Sequence, residues 1–99
     1  MAQEIAHAAG IFFAREYNDQ SLITVTRAEL TPDFKEVRVF FSVLPVSREK
    51  VALAFAKRAR SDFREFLKER SALSRIPTVD FEIDWGEKNR QRVDELTRS

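Results

Sequence analysis

Apolar residues along this chain fall into runs whose spacing changes character from one run to the next. Between Gln3 and Tyr17, Ile5, Ala8, Ala9, Phe12 and Phe13 recur three and four apart, which predicts a helix with one apolar stripe. Gly10 either weakens that helix by about 1 kcal/mol relative to alanine or lets a neighbouring element approach closely. After a polar break from Asn18 to Ser21, the β-branched stretch Leu22-Ile23-Thr24-Val25-Thr26 predicts a strand. Alternation fails past Arg27, so this strand is expected to carry a bulge or fray before the turn at Thr31-Pro32-Asp33. Val37, Val39, Phe41 and Val43 then alternate with Glu36, Arg38, Phe40 and Ser42, the pattern of a strand with one covered face, and the two strands should form a hairpin.

Pro45 ends the second strand, and Ser47 is placed to cap a helix, with Lys50 where a full capping box has Glu or Gln. Ala52, Phe55, Ala56, Ala59, Phe63, Phe66 and Leu67 keep helical spacing from Val51 to about Ser71, as one long helix or two joined by a kink. Pro77 cannot continue that run. Val79, Phe81, Ile83 and Trp85 then alternate strictly with Thr78, Asp80, Glu82 and Asp84, which predicts a third strand whose Trp85 packs over a helix with its indole N–H near the surface. Beyond Gly86 the tail from Glu87 to Ser99 is mostly charged, with Val93 and Leu96 as its main apolar pair, and reads as a short helix or frayed end. These elements make one α+β domain over residues 1–99, with helices on one face of a small mixed sheet.

Composition narrows the chemistry. The chain has 99 residues and 43% hydrophobic content, enough for one core. No run approaches the roughly 20 apolar residues of a membrane span, and no leader pattern opens the chain, so the expected location is cytoplasmic. Without cysteine there are no disulfides, thiolate metal sites or cysteine nucleophiles. His7 is the only histidine and has no partner with which to build a metal site or nucleophile relay, so it reads as a structural or surface residue. Asp80, Glu82 and Asp84 share a strand face and offer either a divalent-cation site or, more simply, the wet side of the strand or pairs with arginines across it. No phosphate loop, nucleophile elbow or dinucleotide fingerprint occurs, so the reading is of a non-enzyme with no cofactor and no metal.

Net charge is only +1, but its distribution is uneven: residues 35–75 hold eleven basic and five acidic side chains, whereas the flanking segments are net acidic. Over the roughly 8–10 Å that salt leaves unscreened, a local positive surface still attracts phosphate. Lys57, Arg60, Arg64 and Lys68 fall three, four and four apart, which would align them on one side of a continuous helix, with Arg58, Arg70 and Arg75 extending the row. Such a row suits phosphate contacts, or else is a solvated face offset by Asp62, Glu65 and Glu69. Arg27, Lys35 and Arg38 lie near the hairpin and either widen this surface or serve solubility. Phe34 and Phe40 either stack on bases or pack in the core.

The element order matches a type II KH fold, and the residues resemble the ribosome-binding factor A family along nearly the whole chain. The similar stretches are Ile23-Thr24-Val25-Thr26, Leu30-Thr31-Pro32-Asp33-Phe34, Val37-Arg38-Val39-Phe40-Phe41-Ser42-Val43-Leu44, Arg64, Arg75-Ile76-Pro77, Phe81-Glu82-Ile83-Asp84 and Arg92-Val93-Asp94-Glu95-Leu96. The resemblance implies a cytoplasmic factor that binds the maturing small ribosomal subunit through its ribosomal RNA and assists late maturation. It also implies a helix–kink–helix with an alanine-x-glycine sequence in place of the usual glycine-rich KH loop. Here the corresponding residues are Ala59-Arg60-Ser61, so a kink is expected near residues 59–62, with Ser61 able to cap the following helix. With only Gly10 and Gly86, the chain has no GXXG loop. The RNA-binding candidates are Lys57, Arg58, Arg60, Arg64, Lys68 and Arg75, in a protein expected to be a monomer with no membrane contact. A protein–protein adaptor that uses the same fold without RNA stays open beside this reading, as does, more remotely, a carboxylate hydrolase built on Asp80 or Asp84.

Overall fold

The structure, a computed structural model, describes residues 1–17, 21–70 and 75–86. The tail from Glu87 with its Val93 and Leu96, residues 18–20 of the polar break, and Ser71 lie outside the described residues. Helix α1 (Ala2–Glu16) buries the five residues that its spacing singles out, Ile5, Ala8, Ala9, Phe12 and Phe13. Strands β1 (Leu22–Leu30) and β2 (Glu36–Leu44) pair antiparallel, and β3 (Thr78–Ile83) joins the other edge of β2 in parallel, giving the order β1-β2-β3. The parallel connection runs through a 3-10 turn (Val46–Arg48), α2 (Glu49–Arg58) and α3 (Arg60–Arg70). This α-β-β-α-α-β order has the KH-like pattern.

The bulge in β1 follows from the phase of its apolar residues. Ile23 and Val25 pack against the core, and so do Ala28 and Leu30, but the second pair is out of step with the first. One extra residue restores the phase: Val25 opposes Phe41, Arg27 opposes Phe40, and the register shifts between them. Without it, Ala28 and Leu30 would point away from the helices. Thr26, the residue displaced, donates its hydroxyl to Asp84 Oδ2 at 2.6 Å, with the Phe40 carbonyl at 3.2 Å as a second acceptor.

Five phenylalanines from every layer meet in the core. Phe13 of α1 lies 5.6 Å from Phe41 and 5.2 Å from Phe81, and Phe63 of α3 lies 5.3 Å from Phe12 and 5.5 Å from Phe81. Centroids at this spacing and tilt place ring edges against faces, which adds to simple area burial.

Two expectations need correction, and the two readings of Gly10 resolve to one. Trp85 is not a core residue: it is 60% exposed, because β3 stops at Ile83. The Asp84 N–H makes a last bond to the Phe41 carbonyl at 2.8 Å, its carboxylate turns in toward Thr26, and the backbone becomes helical at Trp85, which ends the alternation. Ser47 does not cap α2: it lies inside the 3-10 turn, and α2 starts two residues later with no side-chain cap. Gly10 admits no neighbour, since a Cβ there would meet nothing within 4 Å, so the glycine is a tolerated cost.

Candidate nucleic-acid interface

The helical run bends at Ala59, between α2 and α3. Ala59 sits at φ −88° and ψ 6°, and its N–H is shared between the carbonyls of Phe55 (2.9 Å) and Ala56 (3.2 Å), while its own carbonyl accepts from Phe63 N–H at 2.9 Å. A negative φ in this bridge region is open to any L-residue, so the bend needs no glycine. Ser61 is an exposed residue within the first turn of α3, past the position from which a hydroxyl would cap it. The bend leaves carbonyls at the end of α2 to be satisfied, and Arg60 Nε donates to that of Lys57 at 2.9 Å.

Because the helix is not continuous, its period alone does not hold the cations in line. Asp80 does so across the bend: its Oδ1 accepts from Lys57 Nζ at 2.6 Å and from Arg60 at 3.4 Å. Burial pushes the Asp80 carboxyl up, but the hydrogen bonds from Lys57 and from Phe81 N–H and the charges of Lys57 and Arg60 outweigh it and hold the group below its ordinary value. Arg64, one turn on, donates from Nε to the Pro77 carbonyl and from its terminal nitrogen to the Ile76 carbonyl, both at 3.2 Å. That bond pair brings α3 beside the segment carrying exposed Arg75. Lys68, another turn on, lies 3.8 Å from Glu65 across the helix surface. Arg58 is exposed at the end of α2, and Arg70 lies over the Phe66 ring at 5.1 Å. The arrangement is a row of cations, partly offset by Asp80 and Glu65, suited to phosphate contacts rather than to reading base edges.

Other candidate residues divide between internal and outward roles. Arg27 pairs with Glu29 at 3.2 Å and covers the half-buried Phe40 ring at 4.2 Å, on the sheet face away from the helices. Arg38 lies 3.7 Å from Glu36, Lys35 is exposed beyond the hairpin tip, and His7 is exposed on α1. Asp80, Glu82 and Asp84 do not act as one cluster: Asp80 serves the cations, Asp84 is buried against Thr26, and among the described residues no three His, Cys, Asp or Glu side chains gather as a metal site. Sequence reasoning misses the joining role of Asp80, since nothing in a local pattern links it to Lys57, 23 residues away. It also misses an open groove of about 390 Å³ bordered by Arg27, Phe40, Lys57 and Trp85, because strand alternation assigns Trp85 to the core.

A family model described as ribosome-binding factor A matches residues 1–97. The ribosome-binding factor A of Thermobifida fusca (strain YX) is 31% identical over 99 residues; the match takes in 97% of this chain and 66% of that protein, so the chain spans just under two thirds of this relative's length. The crystal structure of ribosome-binding factor A from Thermus thermophilus is similar with a TM-score of 0.73, over 83% of this chain and 90% of that one, at 20% identity. The solution structure of a Thermotoga maritima protein described as a candidate ribosome binding factor A has a TM-score of 0.66, over 82% of this chain and 80% of that one, at 24% identity. At these identities the two structures speak for a shared fold.

Proposed function

The chain belongs to the ribosome-binding factor A family, and from that premise we propose that it binds the small ribosomal subunit or its precursor through ribosomal RNA and assists late maturation. It acts in the cytoplasm as a monomer, by binding rather than by catalysis. The observation that carries this reading is the row formed by Lys57, Arg60, Arg64 and Lys68, with Arg58 and Arg75 beside it, drawn together across the bend by Asp80 and across to β3 by the carbonyls that Arg64 engages. Cations spaced a helical turn apart along one surface match the repeat of phosphates on a folded RNA, and each displaces counterions on contact.

A second reading, a protein–protein adaptor without RNA, gains support from the same geometry, because Asp80 and Glu65 neutralise part of the row. Sedimentation with purified small subunits and their precursors, at low and moderate salt, separates the two. The wild type is expected to co-sediment with both particles more strongly at low salt. A folded variant with Lys57, Arg60, Arg64 and Lys68 changed to glutamate is expected to remain in the supernatant. No co-sedimentation of the wild type at either salt would overturn the ribosomal reading, and undiminished binding of the variant would remove the helical row from it.

A further inference from the structure

The hairpin tip between β1 and β2 contains a contradiction that packing does not resolve. Phe34 has φ 60°, the only positive value at a non-glycine residue among the described residues, and its side chain is 61% exposed. Left-handed backbone is sterically costly for a bulky side chain, and glycine or asparagine takes it far more readily. An exposed ring does not recover that cost through burial, and Phe34 stands apart from the core cluster.

The loop around it is fixed from several directions. Thr31 N–H donates to the Glu36 carbonyl and Phe34 N–H to the Thr31 carbonyl, both at 2.9 Å. The Thr31 hydroxyl accepts from Glu36 N–H at 3.1 Å and donates to Asp33 Oδ1 at 2.6 Å, which also accepts from Lys35 N–H at 3.1 Å. The Lys35 carbonyl accepts from Thr78 N–H at 2.9 Å, tying the tip to the start of β3. The tip therefore fixes the backbone from which Phe34 projects outward, so little backbone freedom is lost on binding.

The neighbours of this tip indicate the partner. Thr78 follows Ile76 and Pro77, whose carbonyls hold the Arg64 guanidinium, and exposed Arg75 precedes them. Lys35 is exposed next to Phe34 itself. The nearby acids, Asp33 within the turn and Glu36 at 3.7 Å from Arg38, keep their charge but are outnumbered by Lys35, Arg38, Arg64 and Arg75. An exposed aromatic face among cations is how proteins take up an unpaired nucleotide, with its phosphate on the cations and its base on the ring. Resting on the RNA-binding reading above, we infer that Phe34 is a base-stacking residue that receives one unpaired RNA base at the end of the cationic row.

The test uses the full chain and two hairpin RNAs of identical stem, one fully paired and one with a single bulged nucleotide. The wild type is expected to bind the bulged RNA roughly tenfold more tightly, the value of one base–aromatic stack (about 1.4 kcal/mol). Phe34→Asn is expected to abolish that preference while keeping the affinity for paired RNA, and to melt no lower than the wild type, because asparagine suits the left-handed backbone. Phe34→Trp is expected to restore the preference. Equal binding of both RNAs by the wild type overturns the stacking role and leaves the RNA reading standing, whereas binding of neither overturns both. A Phe34→Asn variant that melts lower, or that loses affinity equally for both RNAs, shows that the ring serves the fold or the phosphate contacts and overturns the inference.

Discussion

Replacing Asp80 by asparagine should weaken the fold and strengthen RNA binding at once. Asp80 holds Lys57 and Arg60, yet its negative charge lies where a phosphate would approach them. The three side chains are 28%, 37% and 49% exposed, and ion pairs this accessible contribute about 0.2–1 kcal/mol each. Asparagine can keep the bond from Phe81 N–H, made at 2.9 Å, so the expected loss is about 1 kcal/mol, or about 4–8 °C in Tm for a domain of this size. A phosphate docked on Lys57 would sit about 6 Å from the Asp80 carboxylate, where a unit charge in water costs about 0.7 kcal/mol. Removing that charge should tighten binding to a small-subunit RNA fragment roughly threefold at low salt, with the gain shrinking toward about 0.15 M as screening sets in. Thermal melts and filter-binding titrations read the two effects separately. A variant that melts lower yet binds no better, or binds worse, would refute the reasoning and show that holding Lys57 and Arg60 together outweighs the competition of the Asp80 charge with phosphate.

Other outcomes follow from the same geometry. Phe63→Ala, which empties a fully buried ring from the centre of the core, should cost about 3–5 kcal/mol in chemical denaturation. Gly10→Ala should raise stability by about 0.5–1 kcal/mol, since the new methyl meets open space on a helix. Ser61→Gly should lower stability slightly, by about 0.5 kcal/mol, because Ser61 lies within α3 and the bend sits at Ala59 with negative φ. The carboxyls of Asp33 and Asp80 are both held below their ordinary value, so the stability they add is complete above about pH 4 and is lost as pH falls through their lowered folded-state values. Melting curves between about pH 6 and pH 2.5 should show that loss, reduced in Asp80→Asn.

Strong local periods make much of the fold readable in the amino-acid sequence. The three- and four-residue spacing of Ile5 through Phe13, and the alternation of Val37 through Val43 and Val79 through Ile83, each name one buried face. Even the bulge in β1 leaves a trace, as the change of phase between Val25 and Ala28. Features set by contacts between distant segments leave none. Trp85 continues the alternation of its neighbours, but Asp84 turns toward Thr26, 58 residues away, and ends the strand. The cationic row can be identified in the sequence, but not its coupling through Asp80, since strand alternation marks Asp80 as outward-facing without saying which cations it meets. Phe34 reads as a stacking or a core residue, because residue type says nothing of the left-handed backbone that presents it.

The most direct test of an RNA interface on the cationic row is the slope of log affinity against log salt for the purified chain and a small-subunit RNA fragment. With roughly four to six phosphate contacts, each worth about 0.7–0.9 in slope, the wild type should fall with a slope of about −3 to −5, and each charge-neutral substitution at Lys57, Arg60, Arg64 or Lys68 should reduce it by about 1. A slope near zero, or one that these substitutions leave unchanged, would contradict the account.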